Sequence, residues 1–266
     1  MGCHRIRPPR DAWGLVSVLP SAGAGLELIE LAILRLRRGE SHREGSADKE
    51  LAAVLLSGSA EVRGAGFLGE LPRRVSVFDG PGSCAFAPAG ERLEIRASEE
   101  SVLAIARAPA AGAARGFIVR PEEVKASVRG VPPFQREIRD MIDGSRPASR
   151  LVLGETITPS GQWSSYPPHR HERDEPPHEA AMEEAYLFRV DPPQGFGMIR
   201  LYTDDRSLDE AYAVEDGDVV ALPRGYHPVS AAPGYRVYYL WILAGRTSRE
   251  LRPRDDPAHA WVKGQR

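Results

Sequence analysis

This 266-residue chain is short of lysine, short of cysteine and nearly without net charge. Of its 35 basic residues only Lys49, Lys125 and Lys263 are lysines, so Schiff-base chemistry has few places to start. Cys3 and Cys84 lie far apart and outside any C-x-x-C pattern, which excludes a disulfide framework and a thiolate zinc site. Cys84 sits in an apolar run and reads as a small core residue. A net charge of −2 gives no polyanion-binding surface, so nucleic acid is not an expected partner. No apolar run reaches the ~18–20 residues of a membrane span, so no membrane partner is expected. The first residues lack the apolar segment of a signal peptide, which makes the cytoplasm the default location.

The chain does have many short apolar runs punctuated by glycine and proline. From Trp13 to Ala106 such runs recur every 8–12 residues, a spacing that suggests a β-sandwich or barrel. Residues 26–36 read as one or two strands, 50–62 as two strands around a turn at Ser57-Gly58, and 74–80 as another strand. Residues 107–116 have a linker's composition. The stretch 134–142 reads as a short helix or irregular connector. A second series of strands begins at 150, and the tail from Arg246 reads as a surface extension. The two halves echo each other: the acidic start and apolar run after Glu50 resembles that after Glu183, and 81–92 parallels 215–227. Two similar β units follow, 1–125 and 126–266.

Four of the seven histidines, His169, His171, His178 and His227, gather in the second half. In a strand, residues i and i+2 share a face, so His169 and His171 can aim at one point. Together with His227 and a glutamate they make a donor set of three imidazoles and one carboxylate, suited to a divalent ion: Zn first, with Mn, Fe, Ni or Co as alternatives. Glu183 and Glu184 both offer the carboxylate. Glu184 is preferred because its face then carries Tyr186 inward and leaves Ala185 and Leu187 outward. His178 reads as a loop or rim residue, and the insert 172–182 as a lid.

His169-x-His171 with Glu184, and the run from Gly217 through Pro223 and Gly225 to His227, resemble the two metal-binding motifs of the cupin superfamily. The His171-to-Glu184 spacing is longer than usual there, and Ala231 stands where an asparagine is common. The stretches 158–171, 183–186, 193–203, 216–229 and 234–240 are together similar to the 5-deoxy-glucuronate isomerases of bacterial myo-inositol catabolism, relatives of 5-keto-4-deoxyuronate isomerase. The resemblance is dense over 130–245 and thinner over 13–125.

That resemblance implies an all-β chain of two cupin (jelly-roll β-barrel) domains in tandem, a bicupin with metal and active site in the C-terminal domain. In the N-terminal half His42 and Glu50 are remnants of a first motif and the second has no histidine, so no metal is expected there. The implied reaction is aldose–ketose isomerisation of 5-deoxy-D-glucuronate to 5-dehydro-2-deoxy-D-gluconate. For the base, Glu155, Tyr202, Glu183 and a water on the metal all stand open, as does a hydride shift. Arg200, Tyr202 and Arg224 are candidates for the substrate carboxylate, and Trp163, Ser164, Ser165 and Tyr166 for the pocket mouth. The same donor set would also serve an iron dioxygenase, or be kept in a non-catalytic sugar-binding bicupin. Exposed sheet edges allow a homo-oligomer.

Overall fold

A computed structural model describes residues 4–110 and 115–265. It is built of strands, with two short 3₁₀ turns at Pro121–Glu123 and Ala260–Gln265. Cys3 and the middle of the expected linker lie outside the described residues.

Apolar side chains gather in three layers. Leu34, Leu55, Val62, Ile95 and Leu103 fill the inside of the first barrel. Tyr186, Phe188, Ile199, Leu201, Tyr239 and Trp241 fill the second. Between the barrels, Ile33, Val54, Leu56, Leu153, Leu187, Leu240 and Ile242 form a seam. The central strands therefore bury both faces. Leu151–Thr158 is buried throughout, and so is almost all of Met182–Asp191. Such strands read as continuous apolar runs rather than alternating ones. Only outer strands such as Gly197–Tyr202 alternate clearly.

Around the second barrel, one seven-stranded sheet runs in the order Arg5–Ile6, Val219–Leu222, Met182–Asp191, Arg236–Gly245, Leu151–Thr158, Arg136–Ile142, Lys125–Arg129. A four-stranded sheet, Trp163–Ser164, Val229–Ala231, Gly197–Tyr202 and Asp209–Val214, covers its other side. The first strand, Arg5–Ile6, belongs to this later sheet, pairing with Val219 and Val220. Strands from Gly14 to Val119 make up the first unit, and those from Lys125 onward the second.

Three local expectations are corrected. Ser57-Gly58 is not a turn: Lys49–Gly64 is one 16-residue strand bulged at Leu55–Ser57 and Gly58–Ala60. At Gly58, φ is +92° and an added Cβ would lie 2.4 Å from the Glu100 carbonyl oxygen, so only glycine bends the strand from one sheet into the next. Residues 75–80 form a loop instead of continuing a strand. The stretch read as a helix or connector holds a strand, Arg136–Ile142, whose alternation puts Arg136, Ile138 and Asp140 on one face.

Candidate metal centre

The strand Met182–Asp191 sends its consecutive glutamates to opposite sides. Glu184 faces the inside of the second barrel. His171 Nε2 lies 2.8 Å from Glu184 Oε2, and His227 Nε2 lies 3.1 Å from the same oxygen. One donor atom from each of the three residues falls within 4.8 Å of the others. A single ion with bonds of about 2.0–2.2 Å holds neighbouring donors roughly 3 Å apart, so this spacing is that of a ligand set. All three are buried, at 7%, 4% and 1% exposure for His171, Glu184 and His227.

The imidazoles are oriented from behind. His171 Nδ1 lies 2.9 Å from the Met182 carbonyl oxygen, and His227 Nδ1 lies 3.0 Å from that of Gly225. A carbonyl only accepts, so each Nδ1 donates, and each ring, when neutral, presents its Nε2 lone pair to an ion. His227 Nε2 is buried and has no hydrogen-bond partner. A buried, partnerless nitrogen beside a carboxylate is costly unless a cation completes it. The residues present therefore fit a divalent ion. Gly225, at φ +87°, brings its backbone so close to Tyr202 that an added Cβ would lie 2.4 Å from that carbonyl oxygen, and this fixes the turn that presents His227.

Electrostatics agree with the geometry. Burial pushes the Glu184 carboxyl up, but the charge and hydrogen bond of His171, with help from His227, outweigh it and hold it well below the usual range. Burial lowers His171, and Glu184 overcomes that to raise it. His169 is held well below its usual value, first by burial and then by the charges of His227 and His171. It stands beside the trio: its ring centroid is 4.8 Å from that of His227 and 6.3 Å from that of His171.

A cavity of about 530 Å³ opens over the donors. Ser165 is held at φ +51°, a conformation rare outside glycine, and its Oγ sits 3.4 Å from the hydroxyls of both Tyr186 and Tyr239. Tyr166 also lines the cavity. Trp163 lies tilted against Tyr166, 38% exposed, outside the lining.

Besides Trp163, five of the residues expected at the site fall elsewhere, each for a reason of strand phase or partner. Glu155 points into the seam, where Arg74 grips it at 2.7 and 3.0 Å and the Tyr238 hydroxyl donates at 3.0 Å. Arg200 and Tyr202 do share a face, but it is the outer one. Arg200 pairs with Asp209 at 2.8 Å, and the Tyr202 hydroxyl donates to Asp256 at 2.7 Å. Arg224 is exposed beside Ser207. Glu183, the other carboxylate offered, also faces the seam and accepts from the Glu27 and Leu28 backbone N–H groups. His178 is exposed, and no residue of 172–182 lines the cavity; the tail does so instead, through Leu251, Pro253, Asp255 and Lys263. Arg254–Asp255 pairs with His169–Arg170, which ties that tail to the site.

Among the wall residues that the sequence did not single out are Tyr239, Arg136 and Asp140. The alternation of residues 136–142 was the available signal for the last two.

A family model described as the KduI/IolB family matches residues 8–262. The chain belongs to that family. Among curated family relatives, the 5-deoxy-glucuronate isomerase of Geobacillus thermodenitrificans is 39% identical over 96% of this chain and 93% of its own length. That of Bacillus subtilis strain 168 is 35% identical over 93% and 92%. A crystal structure of an IolB-like protein from Salmonella typhimurium LT2 superposes with a TM-score of 0.92 at 34% identity, over 97% of this chain and 98% of that one. The oxalate decarboxylase of Lactobacillus farciminis matches at a TM-score of 0.67 and 12% identity, over 96% and 89%, a likeness of fold alone. The architecture of this KduI/IolB member is the all-β tandem cupin that the two motifs implied.

Proposed function

We propose that this KduI/IolB member is a metal-dependent aldose–ketose isomerase that converts 5-deoxy-D-glucuronate to 5-dehydro-2-deoxy-D-gluconate in myo-inositol catabolism. The observation that carries the reading is the convergence of His171 and His227 on Glu184 inside a polar cavity. Relatives that match over nearly the whole chain are named for this activity.

His171, Glu184 and His227 would hold the ion, with His169 beside them as a fourth ligand. When bound there, a divalent ion would supply the Lewis acidity to polarise the substrate carbonyl and offset charge on its oxygens. The protein supplies the rest. The hydroxyls of Ser165, Tyr186 and Tyr239 hold the substrate oxygens in register. Arg136 acts electrostatically on both His169 and Tyr239 and lines the cavity, so it is placed to meet the substrate carboxylate, for which a guanidinium fork is well shaped. Asp140, on the same strand face, takes the proton from C2 and returns it to C1. Burial raises its carboxyl above the usual range, the direction a base working near neutral pH needs. Trp241 and Leu243 add an apolar wall beside these polar groups.

The test is to incubate purified protein with 5-deoxy-glucuronate, with and without chelator, and follow ketone formation under anaerobic conditions. Ketone formed only by metal-replete protein is expected. Absence of product from the metal-replete sample overturns the proposal, and dependence on oxygen would favour a dioxygenase instead.

A further inference from the structure

A second cleft, of about 440 Å³, lies on the seam between the barrels, away from the histidines. Its walls are apolar, with Ile33, Leu56 and Val102 from the first unit and Leu187 from the second. Its charged lining is mostly satisfied. Asp216 accepts from Arg189 Nη1 at 3.2 Å and from the Val190 N–H at 3.1 Å, and Asp191 pairs with Arg236. Arg10 donates to the Asp216 carbonyl at 2.7 Å.

Arg35 is the exception. It leaves the strand Glu30–Leu36 on the seam face, two residues after Ile33, and lines the cleft. Its side chain forms no ion pair or hydrogen bond among the described residues, and its Nη1 is shut off from solvent. Burial and then the charge of Arg189 both hold its guanidinium below the usual value, with Asp11 acting weakly the other way. A guanidinium carries five donors and no acceptor, and a half-buried one whose Nη1 is shut off from water, beside a second cation, is better satisfied when an anion joins them.

We propose that this interbarrel cleft binds a small organic oxyanion, its carboxylate or phosphate head on Arg35 beside Arg189 and its apolar body against Ile33, Leu56 and Leu187. The volume is within the range of small-molecule sites, about 300–1,000 Å³. Arg35 rises from the first barrel and Arg189 from the second, so the bound anion bridges the two units. The site is separate from the candidate metal centre and does not depend on its chemistry.

Isothermal titration of the metal-loaded full chain with benzoate, at low ionic strength, tests this. Saturable binding is expected, with the neutral analogue benzyl alcohol about tenfold weaker or worse, because a charge-assisted contact is worth roughly that factor. Arg35→Gln should lose about the same tenfold or more. Arg35→Lys, which keeps the charge, should fall between the parent and Arg35→Gln. His227→Ala, which dismantles the metal centre, should leave benzoate binding unchanged. Because Arg35 has no partner to lose, Arg35→Gln should unfold at the parent's urea midpoint or above it. The proposal is overturned by absence of saturable benzoate binding in the parent, by equal affinity in Arg35→Gln, by equal loss in the glutamine and lysine variants, or by loss of binding in His227→Ala.

Discussion

Glu50 and Glu183 perform the same task in opposite directions. Glu50, at the head of the first unit's long strand, accepts the backbone N–H groups of Ser149, Arg150 and Leu151 at 2.6, 2.7 and 2.7 Å. Glu183, at the head of the matching strand, accepts those of Glu27 and Leu28 at 3.0 and 2.7 Å, with Arg246 at 2.8 Å. Each barrel thus reaches across the seam and satisfies the loop that leads into a strand of the other. The resemblance between the two acidic strand starts has this physical content. Glu50 is therefore a strut rather than a relic of a ligand, and His42 is engaged with Glu44 at 3.0 Å.

The division of labour between Glu183 and Glu184 gives the first prediction. Glu184→Gln should abolish tight metal binding with little change in urea midpoint. Glu183→Ala should keep the metal and lose about 1–3 kcal/mol of stability, the cost of stranding buried donors. Metal content by mass spectrometry and urea unfolding measure the two effects. His227→Ala should behave like Glu184→Gln, and His169→Ala should lower metal content less than either. Full metal content in Glu184→Gln would sink the assignment.

Glu155 supplies the second. It lies on the seam with Arg74, both essentially buried, at 0% and 6% side-chain exposure. Glu155→Gln leaves the Arg74 charge without its counter-ion and should cost about 3–5 kcal/mol. Replacing both with methionine should cost much less than the sum of the single changes. Neither change should alter kcat of the folded fraction. A selective fall in kcat with normal stability would return Glu155 to the active site.

How far the sequence could be read depended on which faces were buried. The cupin motifs carried His171, Glu184 and His227, because an H-x-H pair and a P-x-G-x-H turn leave few alternatives in space. Phase was harder. In Met182–Asp191 and Leu151–Thr158 both faces are buried, one in a barrel and one in the seam, so hydropathy could not tell which glutamate points where. Polarity favoured Glu184 through its phase with Tyr186, and Glu184 is the one that lies with His171 and His227; no such signal existed for Glu155. Arg200 and Tyr202 were placed on a shared face, and the alternation of apolar Ile199 and Leu201 with Arg200 was the available signal that the other face is the inner one. The role of the tail was not legible, since its pairing with His169–Arg170 is made across some 85 residues of chain.

Cysteine reactivity is a third check. Burial pushes the Cys84 thiol up to about 12, so its thiolate is scarce near neutral pH. In a Cys3→Ser background, the native protein should give no rapid reaction with a disulfide reagent. One equivalent should react once urea unfolds the chain. Rapid native labelling would mean that the seam around Cys84 opens far more readily than its packing implies.

Asp140 carries the last prediction, and it separates chemistry from folding. Its carboxyl is raised, first by burial and also by Asp143, with Arg129 opposing. A raised pKa in the fold means that folding favours the neutral form. Ionised Asp140 therefore detracts from stability above the unfolded value, and acid relieves this. Asp140→Asn, permanently neutral, should be at least as stable as the parent at neutral pH. Its activity should move the other way. A general base works only when ionised, so kcat/KM of the parent should rise with pH through the carboxyl's raised pKa. In Asp140→Asn that rise should vanish, and kcat should drop by about 10²–10⁴-fold. Metal content should be unchanged, because Asp140 is not among the converging donors. If Asp140→Asn turned over within about threefold of the parent, with the same acid limb, a positioned carboxylate base on this strand would be ruled out, since its loss should cost far more.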